Sequence, residues 1–358
     1  MKYEEDIRHF DEPDFKETLR QYEALLDGDD SVCLEADELT DIAEYYILVQ
    51  NDSEAANRCI SYALSLYPEA TSPLIFEARQ YMQAGDMKKA RLLCMAIPEQ
   101  EHREVTYLWA EMLIQDKLAE SALSYIENRA CLYEDEYDYY LYDAAYIFID
   151  YSCFKEAYVL AHQLHNYVPE WYNTWELIAD CLLRMEKYEE ALTYINKMLD
   201  ADPFSTEAWN WAAEAHVELR QYNKAIDDTE YALAIDPLCF RSIVLKSTAF
   251  LNLHNYEEAI RLINQALEIN PSDEFVLTQK AFCLMDMDQL DEAEQTIIEA
   301  ERIADGKSPD QLYIYEQHAF ILAAQERYVE AIEYIKMASS IDKTINYDSI
   351  IAEYQQHL

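Results

Sequence analysis

Apolar residues recur at steps of three and four along the chain, the spacing that places them on one side of a helix. Between Tyr172 and Pro271 this pattern repeats at a fixed interval. Tyr188, Tyr222 and Tyr256 stand 34 residues apart, each followed three positions later by an alanine (Ala191, Ala225, Ala259), and Pro203, Pro237 and Pro271 keep the same interval. A segment of that length holds two amphipathic helices, which cannot bury their apolar faces alone. Such segments must stack on one another around a continuous core. Proline closes each copy because it has no N–H to donate and pushes the residue before it out of the helical region.

In the copy from Tyr172 to Ser205, large Trp175, Ile178, Leu182, Tyr188 and Ile195 alternate with small Ala179 and Ala191, and Pro203 ends the phrase. Small residues are needed where the two helices approach, and large ones fill the space between them. On these residues the chain resembles the tetratricopeptide repeat family. The resemblance implies an all-α, right-handed superhelical solenoid of stacked helix-turn-helix repeats. Looser copies flank the three regular ones, which begin at Tyr172, Thr206 and Phe240. The first runs from Asp37 with Ala43, Ile47, Ala56, Ile60, Ala63 and Pro68, but Glu44 stands where a small residue belongs, which argues against tight packing of its two helices. One from Thr71 (Ala78, Tyr81, Gly85, Ala90) has its second helix cut short by Pro98. Others start at Arg103 and at Asp138. Beyond the regular region a copy from Glu274 ends in Asp305-Gly306-Lys307-Ser308-Pro309 instead of a closing proline, and a last one starts at Leu312. The expected organisation is a lead and capping helix over 1–36, about nine repeats over 37–344 and a capping helix over 345–358. The first cap is built on Phe15, Leu19, Tyr22, Leu25 and Leu26, the second on Tyr347, Ile350, Ile351 and Tyr354.

Composition narrows the function. With 3 glycines and 9 prolines the chain has little material for the turns of a β protein. A formal charge of -44 keeps a long, high-surface molecule dispersed, attracts cationic partners and disfavours direct contact with nucleic acid or anionic membrane. The charged start, Met1 to Phe10, lacks the apolar core of a secretory signal, and no run of apolar residues is long enough for a bilayer span, so a cytoplasmic protein is expected. Eight cysteines without a CxxC pair read as small buried hydrophobes. No phosphate loop, HExxH, GxSxG or EF-hand spacing is present, so neither an enzyme nor a cofactor is expected. His162 and His165 share a helix face but have no positioned third ligand, which leaves them solvent-facing or satisfied residues. Lys246 and Lys280 hold one register position in adjacent copies, where an aliphatic stem packs and the ammonium reaches nearby carboxylates.

The stretch from Tyr133 to Tyr151 contains seven tyrosines. Its packing positions are already filled by Leu141, Ala144, Ala145 and Phe148, while Tyr139, Tyr142, Asp143, Tyr146 and Asp150 follow at steps of three and four on a different face. The resemblance puts that face in the concave groove. Equivalent positions of the next two copies carry Asn173, Glu176 and Asp180, then Asn210, Trp211, Glu214 and Glu218, with Arg184 at the margin. The family's carboxylate clamp, built on lysine and asparagine, is absent from these positions, and an acidic, aromatic groove would repel a free carboxylate. The expected function is a non-enzymatic scaffold for protein–protein interaction that binds a basic or aromatic-containing peptide segment or partner protein there. Two alternatives stay open: the tyrosines pack only against neighbouring first helices, or the same surface joins copies of the chain into a homo-oligomer.

Overall fold

The computed structural model describes residues 9–28, 32–306 and 308–358. The charged lead at 1–8, residues 29–31 and Lys307 of the expected extension lie outside the described residues. Among the described residues the chain forms twenty α-helices and no strand. Helix α1 (Pro13–Leu26) stands alone. Nine pairs follow: α2 (Ala36–Leu48) with α3 (Ser53–Leu66), α4 (Thr71–Gln83) with α5 (Met87–Ala96), α6 (Arg103–Gln115) with α7 (Ala119–Arg129), α8 (Tyr137–Asp150) with α9 (Phe154–Tyr167), α10 (Tyr172–Arg184) with α11 (Tyr188–Ala201), α12 (Thr206–Glu218) with α13 (Tyr222–Ile235), α14 (Phe240–Asn252) with α15 (Tyr256–Ile269), α16 (Glu274–Asp286) with α17 (Leu290–Ala304), and α18 (Gln311–Ala324) with α19 (Tyr328–Ile341). A single short helix, α20 (Asp348–Gln355), comes last. The fold is an all-α repeat solenoid.

One turn geometry joins the two helices of every pair. Asn51, Gly85, Lys117, Ser152, Glu186, Arg220, His254, Asp288 and Glu326 all have positive φ, and Gly85 alone among them lacks a side chain. A left-handed residue lets the backbone fold back and satisfy the carbonyls that the end of the first helix leaves open. The N–H of Gln221 returns to the carbonyl of His216 (2.7 Å), that of Asn255 to Phe250 (2.9 Å) and that of Gln289 to Leu284 (2.9 Å).

The chain forms two compact units, Met1–Met185 and Glu186–Leu358, and the division falls inside the copy Tyr172–Ser205, between α10 and α11. In the first unit α2, α4, α6, α8 and α10 stack in series. Phe15 and Tyr22 of α1 join the core of α2 and α3, made by Leu39, Ile42, Ala43, Ala56, Cys59, Ile60 and Ala63, whereas Leu26 lies exposed off that stripe. Helix α2 begins at Ala36, one residue before the expected start, and the shift corrects the reading of Glu44. Fully buried Ala43 takes the small position between the helices, and Glu44 turns to the open face. Helix α5 is the shortest of the paired helices and stops short of Pro98, as its sequence requires.

In the second unit α12, α14, α16 and α18 stack in series. Trp209 ties the start of α12 to the loop before it: its Nε1–H donates to the carbonyl of Pro203 (2.9 Å), as that of Trp175 in the first unit does to Pro169 (2.8 Å). At the end of the chain Tyr347 and Tyr354 pack with Ala319, Leu322, Ala331, Ile335 and Ala338.

Candidate peptide-binding surface

Leu141, Ala144, Ala145 and Phe148 are fully buried, and they fix which way the rest of α8 points. Part of the tyrosine cluster belongs to the packing. Tyr140 is buried, donates through Oη to the carbonyl of Ile126 (2.8 Å) and stacks on Tyr133 (4.5 Å) and Tyr107 (5.6 Å). Tyr139, by contrast, is 57% exposed. Its ring stands edge-on to Trp171 at 5.7 Å, Trp171 lies 5.2 Å from Tyr142, and Tyr142 meets Tyr146 edge-on at 4.9 Å. These four rings form one continuous series.

Trp171 escaped the sequence reading, although a signal was there. It occupies the N-cap of α10, where the next three copies carry Ser205, Cys239 and Asp273, and its side chain makes no capping hydrogen bond. An indole is a poor substitute for a capping oxygen, so it is placed there for another reason.

The carboxylates of the strip are not bare. Asp143 lies 3.9 Å from an Arg103 Nη, and Asp180 accepts from Nε of Arg184 (3.1 Å), the arginine expected at the margin. Glu176, expected open on the groove, is 7% exposed, because it lies on a side of α10 covered by packing; it adds negative charge but not an open carboxylate. Burial, then Tyr142, then the charges of Glu176 and Asp180 push the Tyr146 hydroxyl well above the usual phenol range, so it stays a neutral donor.

Asp150 belongs to a cavity of about 940 Å³ in the first unit, walled by the first helices α2, α4, α6 and α8. Arg79 crosses it, with Nη2 3.2 Å from Glu104 and 2.8 Å from Glu111. Burial works against the Arg79 charge, but Glu111, Glu104 and Glu44 more than offset it and hold the proton more firmly than usual. The residue that directly follows the small packing alanine is Glu44, Arg79, Glu111, Tyr146 and Asp180 in the five successive first helices. That register position marks the open face of the unit, and in the looser copies it was missed because their alanines were not aligned.

In the second unit two expectations need correction. Asn210 and Trp211 do not stand clear of the packing: they are 4% and 8% exposed. Asn210 accepts from Ser242 Oγ (2.6 Å) and donates to Cys239 Sγ (3.4 Å), which ties α12 to α14. The cause is their position on the side of α12 that faces the next first helix. Glu214 pairs with Arg241 of α14. Glu218 sits at a recurrent seam, in which the residue opening a second helix meets the end of the next first helix 30 positions on. Tyr222 Oη donates to Asn252 (3.2 Å), Tyr256 Oη to Asp286, and Glu218 helps burial raise the Tyr188 hydroxyl. In the first unit the guanidinium of Arg184 lies 5.9 Å over the ring of Phe154 in the same relation.

Lys246 behaves as its stem predicts, with Nζ 3.0 Å from Glu230. His162 Nδ1 lies 3.2 Å from the amide of Asn166, and among the described residues no group of three or more His, Cys, Asp or Glu is placed to hold a metal ion. No helix among the described residues is long and apolar enough to cross a membrane.

Comparison with known proteins gives the following. Two models of the tetratricopeptide repeat match residues 177–238 and 250–313. No curated protein sequence matches the chain. Among solved structures, a tetratricopeptide repeat protein from Parabacteroides merdae superposes with a TM-score of 0.56 at 18% identity, over 72% of this chain and 98% of that one. A thermophilic repeat protein from Thermus thermophilus gives 0.44 at 19% identity, over 52% and 98%. YrrB, described as a repeat protein with an unusual peptide-binding site, gives 0.41 at 21% identity, over 55% and 98%. With the helix pairs, their left-handed turns and the alanine, tyrosine and proline positions in view, the chain belongs to the tetratricopeptide repeat family, a family of protein-interaction scaffolds.

Proposed function

We propose that this scaffold holds a basic segment of another protein against the aromatic and acidic strip of its first unit. The observation that carries the reading is the series Tyr139, Trp171, Tyr142 and Tyr146 beside Asp143, Glu176 and Asp180, in a chain of formal charge -44. Rings that are partly open to solvent gain by burying area against a partner, and the surrounding negative field steers and selects a cationic one. Asp150 extends that field into the cavity crossed by Arg79, and Glu214 and Glu218 give the second unit acidic positions of its own. No catalytic role is assigned to any of these residues.

The test is titration of Lys- and Arg-rich peptides, and of acidic peptides of equal length, against the wild type and Tyr142→Ala at low and high salt. Basic peptides are expected to bind more tightly, with affinity falling as salt rises. Loss of the Tyr142 ring should cost about 2 kcal/mol or more, mostly as faster dissociation. Equal affinity for acidic and basic peptides would sink the proposal. One observation favours a second reading, self-assembly: Phe204 and Leu238, each directly after a closing proline, are 78% and 69% exposed. Sedimentation over a range of protein concentrations separates the two, since self-assembly raises the mass and peptide capture does not.

A further inference from the structure

We infer that the cation selected by the strip is a guanidinium, so that the recognised side chain of the partner is arginine rather than lysine; this rests on the peptide-binding reading above. The rings carry the first part of the argument. Trp171 is turned 72° from Tyr139 and 43° from Tyr142, and Tyr142 is turned 67° from Tyr146. Tyr139 is 57% exposed and Trp171, Tyr142 and Tyr146 are half-buried, so ring surface is open to whatever docks on them. A π face attracts any cation, but a planar, weakly hydrated guanidinium lies flat on it and sheds water at low cost, whereas an ammonium is a strongly hydrated point charge. A guanidinium lying on a ring also keeps its N–H groups in plane, free to reach carboxylates at the rim. Asp143 and Asp180 are such carboxylates.

The chain itself already uses this chemistry at the same place. Asp143 is paired with Arg103 and Asp180 with Arg184, both arginines. Arg184 combines the two halves of the recognition, since its Nε donates to Asp180 while its guanidinium lies over the ring of Phe154. Its side chain is mostly solvent-exposed, so it can leave Asp180 to an incoming arginine. In this arrangement Arg184 is an internal competitor for the partner's side chain.

The experiment uses the full chain and three peptides that differ only at one central residue: arginine, lysine or citrulline, the last a neutral isostere of arginine. The arginine peptide is expected to bind about tenfold more tightly than the lysine peptide, and the citrulline peptide most weakly of the three. Arg184→Ala should tighten binding of the arginine peptide several-fold and that of the citrulline peptide least of the three, and no gain for the arginine peptide would overturn the competitor role of Arg184. Lysine equal to or tighter than arginine overturns the inference while the basic-segment reading stands. Citrulline equal to both overturns that reading as well. Because the three peptides meet the same folded wild-type protein, the ranking that decides the inference does not depend on a variant that fails to fold.

Discussion

Burial holds the thiols of Cys94, Cys181 and Cys283 up at about 12 and that of Cys59 at about 11. Cys239 goes the other way: burial would raise it, but hydrogen bonds with Ser242 and Asn210 bring it below the usual value. For the four raised thiols the folded state keeps its proton longer than the unfolded chain does. Their contribution to stability is therefore complete below the ordinary thiol value of 9.0 and is lost as pH rises from there toward 12. The urea midpoint should start to fall near pH 9, and a midpoint that stays level up to pH 11 would contradict this. Alkylation of the native protein followed by mass spectrometry should modify Cys239 faster than Cys153, whose thiol burial raises. At Trp211 the structure reverses what the equivalence of positions between copies suggested. An indole 8% exposed between first helices is a packing residue, so Trp211→Ala should cost about 3–5 kcal/mol of unfolding free energy, read from denaturant titration.

The helix pair is the unit in which the sequence was most legible, because alanine, tyrosine and proline at a fixed interval are consequences of two helices packing closely and then stopping. The turn inside the pair was hardly legible, since only Gly85 and, more weakly, Asn51 and Asp288 carry residue types that advertise a positive φ. A side chain in that conformation costs about 1–2 kcal/mol, and glycine removes the conflict while giving back part of the gain through the entropy of the unfolded chain. Arg220→Gly and His254→Gly are each expected to raise stability by roughly 0.5–1 kcal/mol, and Gly85→Ala to lower it by about 1–2 kcal/mol. Thermal or urea unfolding of the three variants tests this, and a stabilised Gly85→Ala protein would refute it. The strain-free turn lies in the pair with the shortest second helix, α5, which has the fewest residues over which to recover such a cost. The partners of the strip were hidden for a different reason. Arg103 and Arg241 reach Asp143 and Glu214 from neighbouring pairs, and no periodicity in one helix reveals a cation supplied by another.

At the scale of the whole chain, repetition made the fold readable and the site hard to read, because a stack is defined by what its copies share and a surface by where they differ. The last helix illustrates the first half of this. Tyr347 and Tyr354 cover Ala319, Leu322 and Ala331, so deletion of Asn346–Leu358 should keep most of the helical circular dichroism yet cause association visible in light scattering. An unchanged, monodisperse monomer would count against that role. The seams between pairs illustrate the second half. The same contact, 30 positions apart, is made by a ring and a guanidinium at Phe154 and Arg184, by a phenol and an amide at Tyr222 and Asn252, and by a phenol and a carboxylate at Tyr256 and Asp286. Look-alike segments are prone to dock in the wrong sequence while the chain is still folding. A Phe154 set against Asp286 would lose its cation and leave a carboxylate on an apolar ring, so each junction favours its own neighbour. The seams thus act as address labels that keep near-identical segments in their proper order.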